Sequence, residues 1–219
     1  ATYTDNSVPR QPFTKSVSIE LRGTSSQLPA STLAFSAPQA QVYTNVTEPI
    51  TLTGGNGNHV SLTLYNATSE DNKRIEQDGK LVAEIIDGTE SSPYQLHIGE
   101  VTGDITILAS QPDMTEGQSP MAGVADLPHR VNITKRTATP QWQWKKVYGN
   151  QTYQTPFAEN TLGDGTWSLT KTNDGSRLLD YDATGHTMTV RNVNEGTETD
   201  TFHISLKESA NYFGIEQDY

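Results

Sequence analysis

The feature that most constrains this chain is an alternation of apolar and polar residues with a period of two. The alternation recurs in short segments, and none of them continues with the 3.6-residue period of an amphipathic helix. The apolar members are Val17, Ile19 and Leu21; Ile50 and Leu52; Val60, Leu62 and Leu64; Ile105 and Ile107; Val131 and Ile133; Trp167 and Leu169; Met188 and Val190; and Phe202, Ile204 and Leu206. Turn signals such as Gly54-Gly55-Asn56-Gly57 and Asp78-Gly79 lie between the segments. The pattern predicts an all-β chain of antiparallel β-sandwiches.

The charge balance excludes two classes of partner. Fifteen Lys and Arg residues stand against 26 Asp and Glu residues, which gives a net charge of −11. A surface this acidic repels phosphate backbones and anionic lipid headgroups. No run approaches the roughly 18 to 20 apolar residues that a membrane helix needs. We therefore expect no nucleic-acid partner and no direct membrane insertion of this fragment.

The chain contains no cysteine, which excludes disulfides, cysteine-ligated zinc and thiol nucleophiles. A secreted animal domain of this size commonly carries a disulfide, whereas exported bacterial surface proteins often fold without one. The composition therefore favours a bacterial surface protein.

Catalytic and metal-binding motifs are missing from the sequence. None of the five histidines lies in an H-E-x-x-H, G-x-S-x-G or phosphate-cradling motif. The best pair of carboxylates, Asp180 and Asp182, would share one strand face, but acidic residues beside a turn are expected in so acidic a chain. The oxygen-rich loops lack the spacing of a calcium-binding loop. We expect no enzymatic activity, no cofactor and no bound metal.

An internal repeat divides the chain. The segment Val42-Tyr43-Thr44-Asn45-Val46-Thr47 is matched 105 residues later by Val147-Tyr148-Gly149-Asn150-Gln151-Thr152. A Ser-Leu-Thr segment follows each copy, at 61–63 and 168–170. A period near 105 residues is the size of one immunoglobulin-like sandwich, so the repeat predicts sandwiches in series.

Two further stretches carry a family resemblance. Residues 96–109 contain Gly99-Glu100-Val101-Thr102-Gly103 followed by Ile105-Thr106-Ile107, and residues 201–213 run from an alternating strand into Ala210-Asn211-Tyr212. Both resemble the bacterial Ig-like repeats of intimin/invasin-type (inverse autotransporter) adhesins. The resemblance covers residues 30–219. It implies a cell-surface module, anchored through an outer-membrane region outside this fragment, that binds a protein or glycan receptor on host cells or other bacteria.

The repeat and the resemblance together predict the domain boundaries. Residues 30–136 form one Ig-like domain and residues 137–219 a second, while residues 1–29 supply the terminal strand of a preceding repeat or an accessory strand. We expect the second domain to lack its last strand, because it reaches the counterpart of the 105–109 strand at 202–206 and the sequence ends at Tyr219, whereas the first domain continues to a final strand at 129–135. The alternating segment 13–21 could fill such an open edge. It would either join neighbouring molecules head to tail or fold back along the first domain.

The tryptophans are the most informative side chains. We expect Trp167 to be buried in the core of the second sandwich. Trp142 and Trp144 share one strand face at the point where the first domain gives way to the second. They line the interdomain junction, or they form a stacking platform for a sugar or protein ligand. The junction interpretation is preferred, because a strand next to a linker must bury something to hold its domain in register.

The sequence therefore predicts an adhesin stalk or adhesive module made of tandem Ig-like sandwiches. Two alternatives remain open. One is an Ig-like decoration domain of a phage virion, and the other is a carbohydrate-binding module attached to a hydrolase.

Overall fold

The fold consists of strands and turns. The computed structural model describes residues 2–5, 13–16, 27–88, 94–116, 119–144, 147–154, 156–172, 178–182, 184, 186–191 and 200–219. Strands account for 52% of these residues, and none of them is in an α-helix. No helix in this part of the chain is long and apolar enough to cross a membrane. The all-β class predicted from the alternation is confirmed.

Nineteen strands and one short 3-10 turn are present in the described residues. They are β1 (Thr2–Asp5), β2 (Phe13–Ser16), β3 (Ala34–Ala37), β4 (Gln41–Tyr43), β5 (Thr47–Thr53), β6 (Ser61–Leu64), β7 (Arg74–Gln77), β8 (Lys80–Ile86), β9 (Tyr94–Ile98), β10 (Gly103–Gln111), β11 (Val124–Thr134), β12 (Arg136–Thr137), β13 (Gln151–Gln154), the 3-10 turn (Glu159–Thr161), β14 (Trp167–Lys171), β15 (Leu179–Asp182), β16 (Thr187–Val190), β17 (Phe202–Leu206), β18 (Tyr212–Phe213) and β19 (Ile215–Asp218).

Two sheets enclose the first core and are called the first unit. One has the order β4-β11-β10-β6 and the other β3-β5-β9-β8-β7. All pairs are antiparallel except β4 with β11, which is parallel. Leu62, Ile107 and Val131, each a member of the predicted alternation, are 2%, 0% and 0% exposed. Inward residues from both sheets meet in one core, as in a β-sandwich.

The turn between β9 and β10 carries the chain from one sheet of the first unit to the other. A Cβ added to Gly99 would lie 1.9 Å from the Leu81 carbonyl oxygen, and Gly103 has a φ of +144°. A side chain does not fit at the first position, and the second has a backbone conformation that favours glycine. The structure therefore explains why both positions of the Gly-x-Val-Thr-Gly motif are glycine.

Two further sheets enclose a second core and are called the second unit. Their orders are β13-β16-β15 and β14-β17-β19, and every pair is antiparallel. The buried residues of this core are Ala138, Phe157, Leu162, Leu169, Met188, Phe202, Ile204 and Leu206. The two cores share no residue.

Trp167 lies at the margin of the second core, which corrects the expectation that it is a buried core residue. The indole is half-buried and packs against the ring of His186, with the centroids 4.5 Å apart. Trp167 is the first residue of β14 and pairs with Leu206, the last residue of β17. It therefore stands at the end of the sandwich, whereas Phe202 and Met188 lie at the centre, 1% and 0% exposed.

A strand is present where the second unit was expected to have an open edge. The chain turns back after β17, with the Ser209 N–H donating to the Tyr212 carbonyl at 3.0 Å. β19 then pairs antiparallel with β17. The expectation of a missing last strand is wrong, because β19 has one apolar residue, Ile215, and shows no alternation that the sequence could reveal.

The N-terminal segment was expected to supply that edge strand. Its residues Phe13–Ser16 pair antiparallel with Thr2–Asp5. Residues 17–21 lie outside the described residues.

The sequence repeat has a counterpart in local structure. Asn45 and Asn150 both adopt positive φ values, 54° and 59°. Asn45 precedes β5 and donates its backbone N–H to the Gly99 carbonyl at 3.0 Å. Asn150 precedes β13 and donates its backbone N–H to the Val190 carbonyl at 2.7 Å. The Ser-Leu-Thr segments lie in β6 and β14, which pair antiparallel with β10 and β17.

Candidate binding site

Trp142 and Trp144 lie on an irregular segment beside the second core. Trp142 forms an isolated antiparallel bridge with Phe157. The Gln143 N–H donates to the Pro156 carbonyl at 2.7 Å, which fixes the segment. Both tryptophans are half-buried while Gln143 between them is exposed. The two indoles therefore face the second unit together, but they lie on an irregular segment and not on the strand that their spacing predicted.

The tryptophans belong to an aromatic cluster. Its members are Trp142, Trp144, Tyr153, Phe157, Phe202 and Tyr219. The Trp142 ring meets Phe157 edge to face at 5.6 Å and lies nearly parallel to Tyr219 at 6.2 Å. Aromatic pairs in such arrangements contribute about 0.5–1.5 kcal/mol each beyond their buried area. Trp142, with four aromatic neighbours, is the centre of the cluster.

Tyr219 is held in place by its hydroxyl group. The hydroxyl donates to the Pro140 carbonyl oxygen at 2.5 Å. Burial raises the pKa of Tyr219 above its ordinary value of 10.0. The phenol is therefore neutral at physiological pH and keeps its ring opposite Trp142.

A pocket of about 240 Å³ opens beside Trp142. The side chains that line this Trp142 pocket are Trp142, Leu178, Leu179, Asp200, Phe202 and Tyr219. Five of these six residues present apolar or aromatic groups, and one presents a carboxylate. Trp144 does not line the pocket, so the structure separates the two tryptophans by position.

The carboxylate of the pocket is part of a buried ion pair. The Asp200 side chain is 2% exposed, and its Oδ1 lies 2.7 Å from Lys171 Nζ. Its Oδ2 accepts the Leu179 N–H at 2.7 Å. A buried carboxylate is tolerated only when it is paired and hydrogen-bonded. The carboxylate that the fold buries beside the pocket is therefore paired and hydrogen-bonded.

The two units meet through a second set of residues, the junction contacts. The Thr44 side chain is 0% exposed, and its hydroxyl donates to the Ala210 carbonyl at 3.0 Å. The Asn45 side-chain amide donates to Asn211 Oδ1 at 2.7 Å. Strands β12 and β18 pair in parallel alongside. The Asn45 turn of the first unit therefore contacts the 209–212 loop of the second unit.

Charged groups extend the junction contacts. Lys135 Nζ donates to Glu208 Oε1 and to the Ser209 carbonyl, both at 2.6 Å. The Arg136 guanidinium lies 4.7 Å from the centre of the Tyr43 ring, a cation–π arrangement. Lys135 thus adds charge-assisted contacts from the first unit to the segment that contains the 209–212 loop.

Asp164 holds the 209–212 loop in shape. Its carboxylate accepts hydrogen bonds from the Ser209 hydroxyl and the Asn211 amide. These two bonds, the Ser209 bond first, lower the pKa of Asp164 below its ordinary value of 3.8. The carboxylate is therefore ionised at neutral pH and orients Asn211 toward Asn45.

These positions bear on the two interpretations of the tryptophan pair. All ring partners of Trp142 and Trp144 belong to the second unit. The junction contacts run through 43–45, 135–137 and 208–213 instead. The structure therefore does not support the junction interpretation, and the ligand interpretation stays a prediction.

The remaining acidic candidates form surface interactions. Asp180 Oδ2 and Oδ1 accept from Arg191 Nε at 2.5 Å and Nη2 at 2.7 Å. This guanidinium lowers the pKa of Asp180, so the carboxyl is ionised at neutral pH. Asp182 accepts the Thr184 N–H at 2.9 Å. Within the part of the chain that the structure describes, no three His, Asp or Glu residues are placed to hold a metal ion.

Sequence reasoning missed most of the pocket. Tyr219, Asp200, Leu178 and Leu179 lie outside the predicted strands. The one available signal was the concentration of aromatic residues in the second half of the chain, which contains all three tryptophans.

No protein-family model matches the chain, and no curated protein matches it either.

Proposed function

We propose that the chain is an extracellular module of a bacterial surface adhesin, built from tandem Ig-like β-sandwiches of the intimin/invasin type. One observation carries the proposal. The Ala210-Asn211-Tyr212 segment, which resembles the ending of such a repeat, contacts the Thr44-Asn45 turn of the sequence repeat. One of the two motifs that suggested the family is thus part of the contact between the two units.

The mechanical role follows from the sheets and the junction. Ladder hydrogen bonds in each sheet resist extension of the unit, and the junction contacts couple the two units. A net charge of −11 discourages association between neighbouring modules. The module thereby holds a binding face away from the cell envelope, and attachment is to a receptor on host cells or other bacteria.

Surface labelling tests this proposal. An antiserum raised against the purified chain should label intact cells of the organism that encodes it, and brief protease treatment of those cells should abolish the labelling. A cytoplasmic enzyme of the same cells serves as the control for lysis. Labelling that requires lysis contradicts surface exposure, and labelling of released virions instead of cells supports the phage alternative.

Adhesion is measured separately. Beads coated with the chain should attach to host cells or to other bacteria more often than beads coated with an unrelated acidic β-sandwich. Equal attachment of both bead types would contradict an adhesive role and leave the spacer role of the module.

A further inference from the structure

We propose that Lys171 and Asp200 become joined by an intramolecular amide bond between the lysine amine and the aspartate side-chain carboxyl group. The bond cross-links β14 to the segment that leads into β17. The inference does not depend on the proposed function. It rests on the register that brings the two side chains together, on their burial and on the backbone groups that hold them.

The strand register places the two side chains side by side. Lys171, the last residue of β14, pairs with Phe202, the first residue of β17. The pairing continues one step further, since the Thr172 N–H donates to the Thr201 carbonyl at 2.9 Å. Asp200 precedes Phe202 by two residues and is therefore a diagonal neighbour of Lys171 on the same sheet face. That face packs on the second core, where Phe202 is buried.

Burial distinguishes this ion pair from the others. The Asp200 side chain is 2% exposed and the Lys171 side chain 23%. In the other ion pairs between described residues, the carboxylates are 36–73% exposed. Charges that are held out of water are costly even when they are paired. An amide bond removes both charges, so the buried position favours the bonded form.

The Leu179 backbone holds both reacting groups. Its N–H donates to Asp200 Oδ2 at 2.7 Å, and its carbonyl oxygen accepts from Lys171 Nζ at 3.3 Å. Nζ lies 2.7 Å from Oδ1, the other oxygen of the same carboxylate. The nitrogen is thus next to the carbon that it attacks, and well-oriented groups of this kind reach effective concentrations of about 10⁵–10⁸ M. The Leu179 N–H also stabilises the negative charge that develops on Oδ2 during the attack.

The reaction is a condensation that needs no other reactant. One proton passes from the Lys171 ammonium to the Asp200 carboxylate, which gives a neutral amine and a carboxylic acid. The nitrogen lone pair then forms a bond to Asp200 Cγ. The C–OH bond breaks, and the departing hydroxyl group takes a second proton from the nitrogen and leaves as water. Nothing is oxidised or reduced, and the net charge stays the same because one positive and one negative charge are lost.

Intact mass spectrometry of the full chain tests the proposal. The folded protein should weigh one water molecule less than its sequence. Trypsin does not cleave after an acylated lysine, so the digest should contain a branched peptide in which residues 147–177 are joined to residues 192–207. A protein with the full mass of its sequence, or a digest cleaved normally after Lys171, overturns the proposal.

Two arginine variants make the result specific. Lys171→Arg keeps the positive charge but replaces the amine by a guanidinium group that stays protonated and does not attack a carboxyl carbon. This variant should have the full mass of its sequence. Lys73→Arg is the matched control, because Lys73 pairs with the Asp87 carboxylate, which is 58% exposed. The control should lose one water molecule like the parent.

Each outcome decides the proposal. A loss of one water molecule that disappears in Lys171→Arg, together with the branched peptide, supports it. A loss that persists in Lys171→Arg overturns it, because the water then comes from another reaction, such as succinimide formation at Asp78-Gly79. The branched peptide is measured in the parent protein, so the test stands even if Lys171→Arg does not fold.

Discussion

Replacement of Thr44 by valine should weaken the coupling between the two units. The Thr44 side chain is 0% exposed, and its hydroxyl lies 3.0 Å from the Ala210 carbonyl oxygen. Valine has nearly the same shape, so Thr44→Val creates no cavity and removes only the hydroxyl. A lost hydrogen bond of this kind costs about 0.5–1.5 kcal/mol, and a partly buried carbonyl left without its donor raises the cost. We expect a loss of about 1–2 kcal/mol.

The distribution of tryptophan makes this loss measurable across the junction. All three tryptophans, at positions 142, 144 and 167, belong to the second unit. Tryptophan fluorescence during urea denaturation therefore follows the second unit, although the substitution lies in the first. With a denaturant slope of about 1–3 kcal/mol per molar urea, the fluorescence midpoint should fall by about 0.3–2 M.

Thr44→Ser is the matched control, because it keeps the hydroxyl. The serine variant should retain the parent fluorescence midpoint while the first unit loses one methyl group. A parent-like midpoint in Thr44→Val would refute the reasoning, because it would mean that the hydroxyl contact contributes nothing to the stability of the second unit.

Three other substitutions test the cores and the junction. Phe202→Ala removes a side chain that is 1% exposed and should lower the free energy of unfolding of the second unit by about 3–5 kcal/mol; a loss below about 1 kcal/mol in urea denaturation would place the ring outside the core. Gly99→Ala puts a Cβ 1.9 Å from the Leu81 carbonyl oxygen and should cost about 1–3 kcal/mol in thermal unfolding, whereas a neutral result would contradict the close approach of these backbones. Hydrogen bonds hold the pKa of Asp164 below 3.8, so its stabilising effect is present above about pH 4 and is lost as the pH falls through the lowered pKa. In Asp164→Asn, the free energy of unfolding should therefore fall less than in the parent as the pH is lowered below about 4. An equal fall in both proteins would show that this carboxylate is not linked to the junction.

The inward faces of the strands could be predicted because alternation has a direct physical cause. One face of each strand packs on the core, so Leu62 and Leu64 of β6 and Ile105 and Ile107 of β10 repeat every second residue. β19 was missed for the same reason: its side chains alternate too weakly to mark a buried face. Propensity cannot recover such a strand, since its pairing with β17 is a tertiary event.

The binding site was predictable only in part. Trp142 and Trp144 could be placed on one face from their spacing, but the sequence does not say which residues face them. Phe157 contacts Trp142 through an isolated bridge between two loops. Tyr219, the last described residue of the chain, packs its ring against Trp142. These contacts depend on how separate segments pack, which local patterns do not encode.

The junction illustrates the same limit. The Asn45 turn and the 209–212 loop could each be recognised as motifs, but not as partners. Their contact is made by short polar side chains whose specificity depends on donor and acceptor positions. The linker pairing of β12 with β18 then fixes the register between them.

Single-molecule pulling of the full chain tests the central claim most directly, namely that two sandwiches with separate cores resist force in series. With handles at the two ends, the account predicts two discrete unfolding events. Their contour-length increments should be on the order of 300 Å each, and larger for residues 30–136 than for residues 137–219, since an extended chain spans about 3.3–3.6 Å per residue. A single event for the whole chain, or smooth extension without force peaks, would contradict the account.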